Sequence, residues 1–218
     1  MNSINMEKFL DSLFSRYPAL TALRPDIIKA YSILEKTFCN GGTLFVCGNG
    51  GSAADSEHIV GELMKGFLKK RPLKQELCLK IRQSIGEEGK LFEDKLQRGL
   101  RAISLTGHVS LSTAFSNDID GSLVFAQQLL VLSKENDALL TISTSGNSVN
   151  VVRCMQLAKV LELETITLTG STGGKSALLA DCSIKVPETE TYKVQEYHLP
   201  IYHTLCMMLE ERFYGESD

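Results

Sequence analysis

Five short, nearly all-apolar runs recur along the chain with helical patterns between them: TLFVCG (43–48), RAISLTG (101–107), DALLTIST (137–144), ETITLTG (164–170) and DCSIKVP (181–187). The first ends at glycine and leads into a helical pattern from Ser52. The third leads into one from about Asn147, the fourth into a short one near Lys175–Ala180, and the last into a long one from about Thr191 to Tyr214. Strands that alternate with helices need crossover connections, and crossovers make parallel pairs. Strands that are apolar along their whole length are covered on both faces. The expected fold is therefore α/β, a doubly wound five-stranded parallel sheet with helices before it and a long C-terminal helix after it.

Residues 1–40 carry two helical patterns, near 4–16 and 25–39. They place Ile4, Phe9, Leu10 and Leu13, then Ile27, Ile28, Tyr31, Leu34 and Phe38, at three-to-four spacing. Pro18 and Pro25 punctuate them and Gly41-Gly42 ends the second. One segment breaks the strand–helix rhythm. Residues 65–98 are rich in charge and hold no strand-like run, but Leu73, Leu77, Ile81 and Ile85 fall four apart. This reads as a partly helical insertion, either a solvated amphipathic excursion or a lid or subunit-contact element. At 218 residues and 43% hydrophobic content, the chain suits one domain, 1–218, with one large core.

A net charge of −3 lacks the basic excess of a protein that holds nucleic acid by broad electrostatics. No apolar run approaches the roughly 18–20 residues of a membrane span. The N-terminus has no basic start or unbroken apolar stretch of a secretory signal, and reads as an amphipathic helix. None of the six cysteines (Cys39, Cys47, Cys78, Cys154, Cys182 and Cys206) falls in a CxxC pair. Cys47 and Cys182 sit in apolar runs, where a thiol behaves as a small hydrophobe. Reduced thiols and a cytoplasmic location are expected.

Ligands of open α/β sheets bind beyond the C-terminal strand ends, and two loops there have distinctive chemistry. Gly48-Asn49-Gly50-Gly51-Ser52 lets backbone approach a ligand, with Ser52 placed to cap the following helix at an end that favours an anion. Ser143-Thr144-Ser145-Gly146-Asn147-Ser148 surrounds one glycine with hydroxyl and amide side chains, a neutral cradle for phosphate oxygens. Neither loop is a P-loop or a GxGxxG fingerprint. His58 and Glu62 lie four apart on the helix after the first loop, hence on one face. The last helix carries Gln195, His198 and His203. Imidazoles with a carboxylate and an amide oxygen suit zinc, and spacing leaves His198 and His203 as alternatives.

The residues that carry a resemblance are GNGGSAADSEHIVGEL (48–63), SNDIDG (116–121), LLTISTSGNSVNVV (139–152), ITLTGSTGGK (166–175) and VQEYHLPIYH (194–203). Together they resemble the SIS, or sugar isomerase, domain, and within it they are most similar to the phosphoheptose isomerases. The resemblance covers nearly the whole chain outside 65–98. It implies that Asn49, Gly50, Gly51, Ser52, Asn117, Asp118 and Gln195 contact substrate, and that Ser143, Thr144, Ser145 and Ser148 hold its phosphate. It further implies one zinc per site on His58, Glu62, Gln195 and His203, with Glu62 and His203 as the acid–base pair. It also implies a homotetramer with active sites at subunit interfaces.

Two positions depart from the family pattern. Tyr192 stands where an acidic residue usually precedes the glutamine by three, and Gly66 stands near the place of an arginine that usually follows the helix glutamate. Both bear on the sugar more than on the chemistry. The expected activity is aldose–ketose isomerisation of a phosphosugar, sedoheptulose 7-phosphate foremost. The alternatives are an isomerase of another phosphosugar and a non-catalytic SIS module that binds a sugar phosphate or a protein partner.

Overall fold

The computed structural model describes residues 3–215. Its five strands are β1 (Leu44–Gly48), β2 (Ala102–Ser104), β3 (Ala138–Ser143), β4 (Glu164–Thr169) and β5 (Cys182–Lys185). Every pairing is parallel and the order across the sheet is β2-β1-β3-β4-β5. β1 and β3 are buried along their whole length. Their side chains alternate between two cores. Leu44 and Val46 of β1, with Leu140 and Ile142 of β3, face one helical layer, whereas Phe45, Cys47 and Leu139 face the other. That two-sided burial is the physical cause of the uninterrupted apolar runs.

The first layer contains α1 (Ser3–Arg16), α2 (Arg24–Cys39), α3 (Gly51–Met64) and α10 (Thr191–Tyr214). Leu10 and Leu13 of α1, Ile27, Tyr31 and Leu34 of α2, Ile59 and Leu63 of α3, and Ile201 and Leu205 of α10 fill it. The side chain of Ile4 lies outside the described residues. The opposite layer is built on α7 (Val124–Leu132) and α8 (Val149–Val160), through Phe125, Leu129, Val151 and Met155. α9 (Gly174–Leu179) follows β4, and α6 (Val109–Phe115) follows β2. Within α10, Pro200 lies in the helix interior, and its carbonyl accepts the Thr204 hydroxyl at 2.8 Å. All six cysteines are free thiols. No helix among the described residues is long and apolar enough to cross a membrane.

Residues 65–98 fold as two helices, α4 (Gln75–Ile85) and α5 (Gly89–Lys95), packed on each other. Leu77, Ile81 and Ile85 lie in α4, but none of its residues is fully buried. The start of the segment is different. Arg71 is 0% exposed and pairs with Glu210, 1% exposed, on α10. The Glu210 carboxylate also accepts the backbone N–H groups of Phe67, Leu68 and Lys69. The Arg71 guanidinium donates to the carbonyls of Leu63 and Glu62 at the end of α3, and lies 4.6 Å from the centroid of the Tyr214 ring. Burial pushes the Glu210 carboxyl up, but the Phe67 and Leu68 N–H groups and the guanidinium outweigh it and hold the group below the usual range.

Removing one partner of such a pair leaves an uncompensated charge in the interior. Glu210→Ala is expected to cost about 3–5 kcal/mol. Urea unfolding followed by circular dichroism measures it, with the exposed α4 pair Lys80→Ala as a near-silent control.

Candidate active site

The order β2-β1-β3 reverses direction between β1 and β3, and the loops after these two strands open a crevice at that point. The loop after β1 leads into α3. Gly50, not Ser52, holds the cap position, and no side chain caps the helix. Ser52 lies one residue inside α3, buried, with its carbonyl accepting the Ser56 hydroxyl at 2.7 Å. The expected serine cap is thus replaced by a glycine cap, because the turn closes two residues earlier than the sequence suggests. α8 also starts without a side-chain cap, at Ser148. Ser148 instead faces Ser143 across the loop, with their hydroxyl oxygens 3.1 Å apart.

The loop after β3 is rigidly built. Asn147 donates its backbone N–H to Ser145 Oγ at 3.2 Å and its amide to the Ser145 carbonyl at 3.0 Å. Its amide oxygen accepts the Lys175 N–H at 3.1 Å. Gly146 has φ +65°, and a Cβ there would strike the Gly173 carbonyl, so only glycine fits. The Thr144 carbonyl accepts the Gly170 N–H at 2.9 Å. The two loops are joined by Asn49 and Asn150, whose side-chain amides exchange a reciprocal pair of 2.9 Å hydrogen bonds. Asn150 was not legible as a site residue, since a polar residue in the first turn of a helix is ordinary.

Beside the crevice, α3 and α10 pack together and bring three of the expected groups to one point. His58 Nε2 lies 3.2 Å from Glu62 Oε1 and 3.4 Å from His203 Nε2. Burial, then the nearby His58, lowers the His203 pKa, so this imidazole favours its neutral form. Glu62 Oε2 is buried with no hydrogen-bond partner among the described residues, and the Lys65 ammonium is 3.8 Å away. His198 is 0% exposed, packed into the interior beside the Thr169 backbone. Gln195 lies against Gly51 at the loop end of α3. Gly51 precedes His58 by seven residues, about 10 Å of helix. Asn117 and Asp118 sit in a short π-helical turn, Ser116–Asp120, exposed and bonded to each other at 2.8 Å.

The donors can be tested against a zinc ion. Metal–ligand bonds of about 2.0–2.1 Å in a tetrahedron put neighbouring donors about 3.3–3.4 Å apart. The two separations at His58 Nε2, 3.2 and 3.4 Å, match two edges of such a figure. Two imidazoles and a carboxylate with an unsatisfied oxygen are also the ligand types zinc takes. Among the described residues no three His, Cys, Asp or Glu side chains close into a complete coordination cluster; the fit is of donor type and of two edges.

Comparison with known proteins places the chain among relatives. The SIS domain family model matches residues 8–98 and 95–170. The phosphoheptose isomerase of Helicobacter pylori is 34% identical over 214 residues, 98% of this chain and 97% of that protein. That of Geotalea daltonii is 38% identical over 194 residues, 89% of this chain and 88% of its own. The solved structure of a phosphoheptose isomerase from Francisella tularensis superposes with a TM-score of 0.74 at 30% identity, covering 97% of this chain and all of that one.

The interior position of His198 has a measurable consequence. Burial brings its pKa down from 6.5 to about 4. The unfolded chain therefore takes up a proton that the folded chain refuses, and stability is lost as pH falls from 6.5 toward 4. At pH 5 the loss attributable to this residue is about 2 kcal/mol relative to pH 7. Denaturation of wild type and His198→Leu at both pH values isolates it: the wild type is expected to show the larger drop.

Proposed function

This chain belongs to the SIS-domain family, and within it to the phosphoheptose isomerases, and from that premise we propose that it converts sedoheptulose 7-phosphate to a D-glycero-D-manno-heptose 7-phosphate. The observation that carries the reading is the meeting of His58, Glu62 and His203 within 3.2–3.4 Å beside the β1–β3 crevice. In its open-chain form the substrate is long, with a phosphate at C7 and the reacting carbons, C1 and C2, at the other end. Ser143, Thr144, Ser145 and Ser148 anchor the phosphate, helped by the uncapped start of α8. Asn49, Gly50, Gly51, Ser52 and Gln195 line the way toward the histidines, with Asn117 and Asp118 as further substrate contacts. Anchoring the distant phosphate orients the reacting carbons.

The chemistry is a proton transfer in two stages. Glu62 takes a proton from C1 while His203 gives one to the C2 oxygen, and an enediol results. Glu62 then returns its proton to C2 while His203 recovers one from the C1 oxygen. The two Glu62 oxygens have different surroundings. Oε1 faces His58, whereas Oε2 has no hydrogen-bond partner among the described residues and keeps its lone pairs for the transfer. His58, Glu62, Gln195 and His203 would hold the zinc, which when bound supplies a positive centre that polarises the substrate carbonyl. For Gln195, that role requires its side chain to reach away from Gly51.

The proposed assembly is a cytoplasmic homotetramer. Its support is the apolar surface this chain exposes. α6 and α7 line a groove of about 570 Å³ through Val109, Leu111, Val131 and Leu132, and α5 exposes Leu91 and Phe92. Large apolar surfaces of this kind are characteristic of subunit contacts.

Two experiments test the reading. Glu62→Gln is expected to lower turnover of sedoheptulose 7-phosphate by at least about 100-fold while phosphosugar binding, measured by calorimetry, is kept. Chelator treatment of wild type is expected to abolish turnover and zinc to restore it; turnover unaffected by both manipulations would remove the metal and Glu62 from the scheme. Separately, Val131→Asp is expected to shift the sedimenting mass below that of a tetramer, and an unchanged mass would place the contact elsewhere.

A further inference from the structure

His58 meets different neighbours at its two ring nitrogens. Nε2 faces Glu62 Oε1 and His203 Nε2, as described. Nδ1 lies 3.1 Å from the Tyr202 hydroxyl, and that hydroxyl lies 3.1 Å from Asp55 Oδ1. Asp55 is three residues before His58 on α3, and Tyr202 directly precedes His203 on α10. Tyr202 is 1% exposed, and its ring stands edge-on to both imidazoles, at 74° to His58 and 86° to His203. The two helices that present the Nε2 atoms of His58 and His203 therefore also build a line of three groups behind them: Asp55, Tyr202, His58.

Counting protons along this line gives it a direction. A carboxylate only accepts, and a phenol has one proton to donate. The Tyr202 proton goes to Asp55, so the phenolic oxygen can only accept from its other neighbour. That neighbour, His58 Nδ1, must then carry the hydrogen. A neutral imidazole has a single N–H, and Glu62 Oε1, 3.2 Å from Nε2, is a competing acceptor for it; a hydrogen held at Nδ1 leaves Nε2 as a bare lone pair. The opposite tautomer would satisfy Glu62 Oε1 but leave Asp55 and His58 Nδ1 competing for one hydroxyl proton, with an N–H on the nitrogen that would bind a metal.

We propose that Asp55 and Tyr202 are positioning residues that hold His58 in its Nδ1–H tautomer, so that Nε2 faces Glu62 and His203 as a free ligand. The proposal rests on the zinc reading for its use, not for its geometry. The two residues act differently. Tyr202 supplies the acceptor for Nδ1–H. Asp55 fixes the direction of the line, because without it the Tyr202 proton turns to Nδ1 and drives the imidazole proton onto Nε2.

The test reads tautomer and affinity separately. Long-range ¹H–¹⁵N correlation spectra of the full-length, metal-free chain, taken at about pH 8 where imidazole is neutral, report which nitrogen of His58 carries the proton. Competition with a chromophoric chelator reports zinc affinity. Wild type is expected to show Nδ1–H at His58, and Asp55→Leu to show Nε2–H. Tyr202→Phe, which keeps the ring and its packing, is expected to lose the Nδ1–H preference and to bind zinc about 10–100-fold more weakly. A merely structural tyrosine would change the unfolding midpoint and leave the tautomer alone. Nε2–H at His58 in wild type, or wild-type zinc affinity in both variants, would overturn the proposal. Should wild type bind no zinc at all, the metal reading fails, and the tautomer spectra still decide the role of Asp55 and Tyr202.

Discussion

A guanidinium and a carboxylate with no access to water must find all of their partners inside the protein. Arg71 and Glu210 do so by recruiting groups from two stretches of chain besides α10. Glu210 gathers the N–H groups of residues 67–69, and Arg71 satisfies the two carbonyls at the end of α3. The result is a polar knot that fixes where α3 ends and where it meets α10. The candidate metal ligands lie on the same two helices. His58 and Glu62 stand on α3, and His203 stands on α10 seven residues before Glu210. Glu62 is tied directly, since its own carbonyl accepts from Arg71. A buried ion pair adds little net stability over a well-packed apolar cluster. Its value here is geometric, because few other side chains fix three backbone segments at once.

The rest of the site follows from topology. A parallel sheet whose order reverses between β1 and β3 leaves a crevice that no crossover helix fills. Both loops at its rim start helices that lack side-chain caps. Their backbone N–H groups and serine hydroxyls give an anion partners without any cationic side chain. In the proposed function, this is how a chain with net charge −3 would hold a phosphate. The Asn49–Asn150 amide pair keeps the two rims at a fixed spacing, which a ligand bound by both requires.

Much of this was legible in the sequence. The five strands coincide with apolar runs because both sheet faces are covered, so the pattern has no polar interruptions to obscure it. The loops were legible because glycine and serine clusters rarely occur at a strand end without a geometric reason. The His58–Glu62 pair was legible from helical spacing. The choice of His203 over His198 was not derivable from spacing; the resemblance pointed to it, and the packing of α10 turns His198 into the core. Ser52 as a helix cap was misplaced by two residues, since cap position depends on backbone angles that residue type only biases. Arg71, Glu210, Asp55 and Tyr202 left no signal. Each is an ordinary residue in its local context, and its role arises only when segments distant in sequence are brought together. The 65–98 segment was read as a partly helical charged insertion, either a solvated excursion or a lid or subunit-contact element, and nothing in its charge pattern singled out Arg71, whose side chain is fully buried against Glu210.

Pro200 gives α10 a property that a continuous helix would lack. A proline has no N–H, so the carbonyl four residues earlier, at position 196, loses its ladder partner, and such sites are where helices bend. The interruption lies between Gln195, beside the β1 loop, and His203, beside His58. The helix nevertheless runs unbroken from Thr191 to Tyr214, so the missing ladder bond is a local weak point between the end that meets the β1 loop and the end that meets His58.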